Sequence, residues 1–312
     1  MQTAEKLRLV LFVGFIVITY FLALIAVVRS VQRKHGGRFR RVVDRASVIL
    51  ALIGSVCIAY GYLIEPNTIS VTKVEIESPK IPLSADGIRI VHLSDVHSDE
   101  HVRFETKVKS IVEAQRPDVI VLTGDYFNSL AAAPVFQTFL TSLMKIAPTY
   151  VVKGNWETHH HTEIEVFGST GVHELNGSAV RLEIRGAPIW ISGLAAGNEA
   201  DFIPMLKDVP PGEFLVLLYH YPDFIHNAAE RGVDLYLAGH THGGQVALPF
   251  YGALVTLSRF GKRFEAGLFY ERNTWMYVNR GIGLDGGFWP RVRFLVPPEV
   301  TVLDLVPGSE LR

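Results

Sequence analysis

Two long stretches without a charge limit what this chain can fold into more than any other feature. Leu9 to Val28 runs for twenty residues and Ala46 to Ile64 for nineteen. Each is close to the length that crosses bilayer hydrocarbon as a helix, the element that satisfies all its backbone polar groups internally. The first run is too long for the core of a cleaved signal peptide, and no small-residue cleavage site follows it. The 48% hydrophobic share is high for a soluble α/β protein, and the excess sits in this N-terminal part. Two membrane spans are expected, with the bilayer as a partner.

Between the runs, Arg29, Arg33, Lys34, Arg38, Arg40, Arg41 and Arg45 face a single acid, Asp44, whereas the basic residues of the N-terminal tail are Lys6 and Arg8. The positive-inside rule then places the connector in the cytoplasm, and the N-terminus and everything after Glu65 outside. A basic loop resting on anionic lipid would lie on the same face. The expected organisation is an anchor over 1–66 and a catalytic domain over 67–312 in the cell membrane, with the domain extracytoplasmic. A net charge of -1 lacks the basic excess of a nucleic-acid track, so no nucleic-acid partner is expected. Cys57 is the only cysteine and lies in an apolar run, which excludes disulfide bracing and argues against thiol catalysis.

From Val71 onward, short β-branched runs alternate with amphipathic stretches, the pattern of a layered α/β domain. Ile88–Leu93, Val119–Thr123, Thr149–Val152, Trp190–Leu194, Phe214–Tyr219 and Leu235–Ala238 read as buried strands. Phe104–Gln115 and Pro134–Ile146 read as crossover helices. The chain after Gly243 reads as loops and further strands of the same domain.

Polar residues follow these strands, where open α/β sheets place their sites. Asp95 and His97 follow the first, Asp125 the second, Asn155 the third, and His220, His240 and His242 the later ones. Each is weak alone: many surface loops carry an Asp-x-His, and a single His220 is what a satisfied core histidine looks like. The glycine-flanked His240-Thr241-His242 is stronger, because it turns two imidazoles toward one place. Five strand ends that each deliver an oxygen or nitrogen ligand are hard to explain by packing alone.

In this order, Asp-x-His, Gly-Asp, Gly-Asn, a lone His and Gly-His-x-His, the chain resembles the calcineurin-like metallophosphoesterases, from about Val71 to the C-terminus. Gly239–Gln245, Val278–Gly283 and Pro297–Val300 are similar to the membrane-attached subgroup known as transmembrane proteins with a metallophosphoesterase domain. The resemblance implies an α/β fold, a β-sandwich of mixed sheets flanked by helices. It implies that Asp95, His97 and His242 hold one metal ion, that Asn155, His220 and His240 hold the other, and that Asp125 bridges them. We also assign a catalytic part to Asp125, Asn155 and His240. The mixed donor set suits two divalent ions, manganese first, with iron or zinc as alternatives, better than magnesium alone.

The family's Gly-Asn-His triplet is here Gly154-Asn155-Trp156, and indole is no acid near neutral pH. Either the leaving group departs without a proton, as a phosphate from a pyrophosphate can, or His159, His160 or His161 substitutes, or catalysis is impaired. The intact ligand set argues against the last. Trp156, His159 and Arg280 are the substrate-binding candidates. Arg259, Arg263, Arg291 and Arg293 lie in the same aromatic-rich region, with Phe264, Phe269, Phe288 and Trp289, where solvated loop charges over core aromatics are the plainer reading of any one arginine. Phe288 and Trp289 are placed where an acyl chain or leaflet would touch them.

A lipid-linked phosphate is the expected substrate. What the subgroup resemblance implies is the pyrophosphate of UDP-2,3-diacylglucosamine, a lipid A precursor, or a related phospholipid diester. That precursor is made on the cytoplasmic face, in conflict with the charge argument, which favours a phospholipid phosphodiesterase acting outside. A non-catalytic metal-binding scaffold is the alternative of another class. A soluble nucleotide phosphatase is opposed by the two spans.

Overall fold

The structure, a computed structural model, describes residues 2–33, 36–160, 165–285 and 291–308. The two apolar runs form long helices, α1 (Thr3–Val31) and α2 (Arg38–Leu63), both long and apolar enough to cross a membrane. They pack as an antiparallel hairpin. Tyr20 Oη lies 2.8 Å from Ser55 Oγ, and Arg29 pairs with Asp44 at 3.1 Å near the connector. Most of their apolar side chains, from Leu7 to Ile64, face outward rather than into the hairpin or the domain.

After the hairpin, two six-stranded sheets stack. The first runs β1 (Ser70–Ser78), β14 (Glu299–Pro307), β2 (Ile88–Leu93), β3 (Val119–Leu122), β4 (Thr149–Val151) and β5 (His173–Glu174). The second runs β12 (Gly267–Glu271), β13 (Thr274–Val278), β9 (Leu235–Ala238), β8 (Phe214–Tyr219), β7 (Ala187–Leu194) and β6 (Ser178–Ile184). In each sheet the central strands are parallel and buried on both faces, which is why they read as continuous apolar runs.

The two-residue period of a strand divides these runs between two cores. Along β2, Ile88 and Ile90 enter the layer between the sheets, while Val91 and Leu93 face α3 (Glu105–Gln115) and α4 (Ala133–Met144). Along β8, Phe214, Val216 and Leu218 enter the inter-sheet layer. Its Leu215, Leu217 and Tyr219 pack under α5 (Phe202–Met205) and α6 (Ile225–Glu230). The result is helix, sheet, sheet, helix, the mixed α/β sandwich expected. A short ribbon of β10 (Ala247–Leu248) and β11 (Gly252–Ala253) stands outside both sheets.

The hairpin is bonded to this domain at both its free ends. Glu5 Oε1 accepts from Thr256 N and Oγ1, and at the end of α2 the Gly61 carbonyl accepts from Arg293 N at 2.9 Å.

Candidate dinuclear metal centre

β2, β3, β4, β8 and β9 end at one edge of the sandwich, so the turns that follow them meet there. Asp95, His97, Asp125, His240 and His242 all have left-handed backbones, with φ between 41° and 71°. For residues with a Cβ this costs on the order of 1–3 kcal/mol each and persists only where the surroundings impose it. Here crossed backbone bonds do so: Asp95 N donates to Gly124 O, His97 N to Asp125 O, and Gly239 N to His220 O, at 3.0–3.1 Å. Crowding makes glycine obligatory beside these side chains. A Cβ on Gly154 would lie 2.3 Å from Asp125 Oδ1, and one on Gly239 would lie 2.2 Å from Asp95 Oδ2.

Two trios result, each able to hold a metal ion: Asp95, His97 and His242, and Asp125, His220 and His240. Asp125 Oδ2 lies 3.2 Å from His220 Nε2 and 3.9 Å from His97 Nε2, between one imidazole of each trio. His242 Nε2 is 3.3 Å from Asp95 Oδ1. The donors fit divalent ions. His97 Nε2 and Asn155 Oδ1 are buried without a hydrogen-bond partner, an arrangement that costs free energy unless a cation or water completes it. Outer groups fix the tautomers: His220 Nδ1 donates to the Thr123 carbonyl at 2.7 Å, leaving Nε2 as the free donor atom. His97 Nδ1 faces Asn128 Oδ1 at 3.1 Å.

The same burial shapes the charges. It works against a protonated His220, but Asp125 overrides it and raises the imidazole to about 9; burial, aided by His220, holds His240 down at about 3. Burial also opposes ionisation of Asp125, yet His220 and His97 keep this carboxyl below its ordinary range. A proton on His220 thus balances charge that a dication would balance instead, releasing it.

The residues from 88 to 244 match the model of the calcineurin-like phosphoesterases. The chain belongs to this family. It is accordingly a metal-dependent hydrolase of phosphoric ester or pyrophosphate bonds. It is 33% identical to an uncharacterized metallophosphoesterase, YkuE, of Bacillus subtilis, over 79% of this chain and 89% of that one. It is also 31% identical to the phosphodiesterase YaeI of Escherichia coli, over 72% and 84% of the two chains. To the UDP-2,3-diacylglucosamine pyrophosphatase LpxG of Chlamydia trachomatis it is 26% identical, over 77% and 90%.

In this phosphoesterase Trp156 stands beside the first trio, its ring edge-on to His97 at 5.4 Å and its backbone N–H donating to Asp125 Oδ1. Residues Trp156–His160 form a π-helical turn, a form common at functional sites. It directs His159 Nδ1 to the Asn155 carbonyl at 3.2 Å and packs His160 against Trp156. His161, Phe288 and Trp289 lie outside the described residues.

Arg280 is paired with buried Glu299 at 2.9 Å and bonded to Ser70 Oγ. The other arginines are also engaged: Arg259 with Asp223, Arg263 with Glu271 and Arg291 with Asp99. Arg293 is no solvated charge, for it is fully buried. Phe264 is ordinary core, and the partly buried Phe269 packs against the same cluster.

The sequence reading passed over Glu157. Its carboxylate accepts from the N–H groups of Asp125, Tyr126 and Gly154 at 2.8–3.0 Å and so sets two ligand turns at once. Burial, then Asp125, pushes its pKa up to about 7. Its place one residue after Trp156 was the available signal. Tyr221 was also missed; its ring stands edge-on to His240 at 4.6 Å and forms a wall of the second trio.

Proposed function

We propose that this phosphoesterase is anchored in a membrane by α1 and α2, with residues 67–312 as its catalytic domain, and hydrolyses a pyrophosphate or phosphodiester bond of a lipid-linked substrate. The observation that carries the reading is the joining of the two features: both free ends of the apolar hairpin are bonded to loops of the domain that holds the two trios. An enzyme held this way meets lipid substrates in two dimensions, at a raised effective concentration. The names of LpxG and YaeI, a UDP-2,3-diacylglucosamine pyrophosphatase and a phosphodiesterase, support the same class.

In this reading Asp95, His97 and His242 hold one ion, Asn155, His220 and His240 the other, and Asp125 serves both; manganese is the ion we favour. Two such ions would supply Lewis-acid polarisation of the phosphoryl group and an activated water. Water oxygen attacks phosphorus as one of its protons passes to solvent, the bond from phosphorus to the leaving oxygen breaks, and that oxygen keeps the electron pair. Trp156, standing at the family's histidine position, has no proton to give. His159 Nδ1 is turned to the Asn155 carbonyl. The arrangement therefore favours a leaving group stable as an anion, such as a phosphate from a pyrophosphate. Arg280, within reach of a second phosphate only by loosening its pair with Glu299, is a substrate contact of the same proposal.

The start of α1 and the end of α2 lie on the domain's side, so the arginine-rich connector lies on the other. With that connector in the cytoplasm the domain works outside, which favours an extracytoplasmic phospholipid or lipid-linked pyrophosphate over a cytoplasmic precursor. The test is hydrolysis by purified full-length protein with manganese against UDP-2,3-diacylglucosamine, a phospholipid and an aryl phosphodiester. Turnover of a lipid substrate is expected; turnover of the aryl diester alone would defeat the lipid reading.

A further inference from the structure

Two segments of the catalytic domain are tied to the hairpin at the level where its apolar runs end. At the start of α1, Gln2 Nε2 donates to the carbonyls of Ser258 at 3.1 Å and Arg259 at 2.6 Å, and Glu5 Oε1 accepts from Thr256 N at 2.8 Å. At the end of α2, Leu295 N donates to Glu65 Oε2 at 2.8 Å, and Phe294 meets the Tyr60 ring edge-on. The β10–β11 ribbon joins these segments, for Ala247 N donates to Phe294 O at 2.9 Å and the chain runs on from Ala253 into Thr256.

This collar exposes large apolar side chains. Leu257, between Thr256 and Ser258, is 45% exposed; Leu295 is 49% exposed; Phe250, at the turn of the ribbon, is wholly exposed. Tyr251 stands beside Phe250 with Lys262 Nζ 3.7 Å over its ring. Solitary exposed leucines need no explanation. Four large apolar groups on segments bonded to both ends of an apolar hairpin do need one, for with α1 and α2 as spans they would fall near the boundary of hydrocarbon and headgroups. Tyr and Phe are suited to that boundary, and a lysine ammonium there can face lipid phosphates while its stem covers apolar surface.

We propose that Phe250, Tyr251, Leu257 and Leu295 form a collar that inserts into the headgroup–acyl boundary of the leaflet on the catalytic side. The inference rests on the reading of α1 and α2 as membrane spans. The collar is continuous with the metal centre. Gly244, two residues after His242, approaches Ala253 so closely that a Cβ there would lie 2.5 Å from the Ala253 side chain, and Thr241 Oγ1 donates to the Glu265 carbonyl at 2.6 Å. Seating the collar fixes the ligand turn at the height of a lipid's phosphates. It gives the domain one orientation on the surface, which two helices alone do not.

The test uses the full-length chain with Cys57→Ala, carrying Phe250→Cys or Leu257→Cys labelled with an environment-sensitive fluorophore, in vesicles with and without shallow doxyl-labelled lipid. Leu83→Cys is the control, an exposed position beyond the far end of β1, about 30 Å along the strand from the anchor. Blue-shifted emission that the doxyl lipid quenches is expected at 250 and 257, and neither effect at 83. An integral protein whose probes at 250 and 257 are not quenched would overturn the collar alone. Blue shift without quenching would overturn it in favour of a protein contact. Release of the protein from membranes by alkaline carbonate would instead overturn the spanning hairpin, and the collar with it.

Discussion

Replacing Gly239 by alanine tests whether the ligand turns are held as tightly as their packing suggests. A Cβ at this position would lie 2.2 Å from Asp95 Oδ2 and 1.9 Å from Ser94 Oγ, whereas ordinary contact begins near 3.4 Å. The Asp95 carboxylate would have to retreat by about 1.2 Å, against a tolerance of roughly 0.2 Å for a metal–ligand distance. It has nowhere easy to go. It is fully buried, both its oxygens accept from His240 N at 3.1 Å, and its backbone is pinned on both sides by Gly124 and Gly283. Because Gly239 is not among the positive-φ glycines, the backbone itself accepts alanine, and the effect falls on the side chains of Asp95 and its neighbour Ser94. Manganese affinity should fall about 10- to 100-fold, the usual effect of disturbing groups that orient ligands, or roughly 1.4–2.8 kcal/mol. Titration calorimetry of the full-length protein measures it, with Gly212→Ala, whose Cβ meets nothing within 4 Å, as the control. Wild-type affinity in Gly239→Ala would refute the reasoning, as would an equal loss in Gly212→Ala.

Trp156→His should leave hydrolysis of a pyrophosphate nearly unchanged while raising that of a simple alkyl phosphodiester, because only the second leaving group needs a proton; equal effects on kcat for both would sink the leaving-group argument. Chelation should abolish turnover while far-UV dichroism stays largely native, and manganese should restore activity; loss of folding on chelation would favour a structural role for the ions. His92 is fully buried, and burial pulls its imidazole from 6.5 down to about 3. A base depressed on folding contributes stability above its unfolded pKa that is lost as pH falls, here by about 1.4 kcal/mol per pH unit below 6.5. In His92→Leu that part of the slope should vanish from denaturant unfolding measured between pH 7 and 5, and an unchanged slope would speak against a neutral buried imidazole.

The central strands were legible because parallel strands covered on both faces need apolar residues at every position, as in Phe214–Tyr219. Their polar ends were legible for the complementary reason: Asp95, Asp125, Asn155 and His220 stand immediately after apolar runs, where nothing in packing calls for them. Pairing was not legible. β14 inserts between β1 and β2, parallel to one and antiparallel to the other, although Ser70 and Glu299 are 229 positions apart. No local pattern records such a register. Glu157 was hidden because a carboxylate that binds three backbone N–H groups looks in sequence like any acid beside a ligand.

Arg293 is the sharper case, since a guanidinium among loop residues normally faces water. Here it is fully buried, and its five donors serve the carbonyls of Arg280, Gly281, Gly283 and Val296 at 2.7–3.2 Å. Burial brings its pKa down to about 10, so it stays charged at neutral pH. The loop it holds lies directly behind the first trio: Gly283 N donates to Asp95 O at 2.8 Å, and a Cβ on Gly283 would strike the Val96 carbonyl. The Gly281 carbonyl also accepts from Glu299 N at 3.1 Å, so three carbonyls depend on the fork. Each acceptor left unpaired should cost about 1–3 kcal/mol; with glutamine's two donors re-pairing part of the three, Arg293→Gln should destabilise the domain by about 3–5 kcal/mol, in the range seen when a buried charge network is broken. Lysine is the discriminating variant. It keeps the charge but offers three donors from one point instead of a planar fork, and should recover less than half of the loss in thermal unfolding. Stability of Arg293→Lys within about 0.5 kcal/mol of wild type, the range of an ordinary surface change, would show that the charge matters and the fork does not.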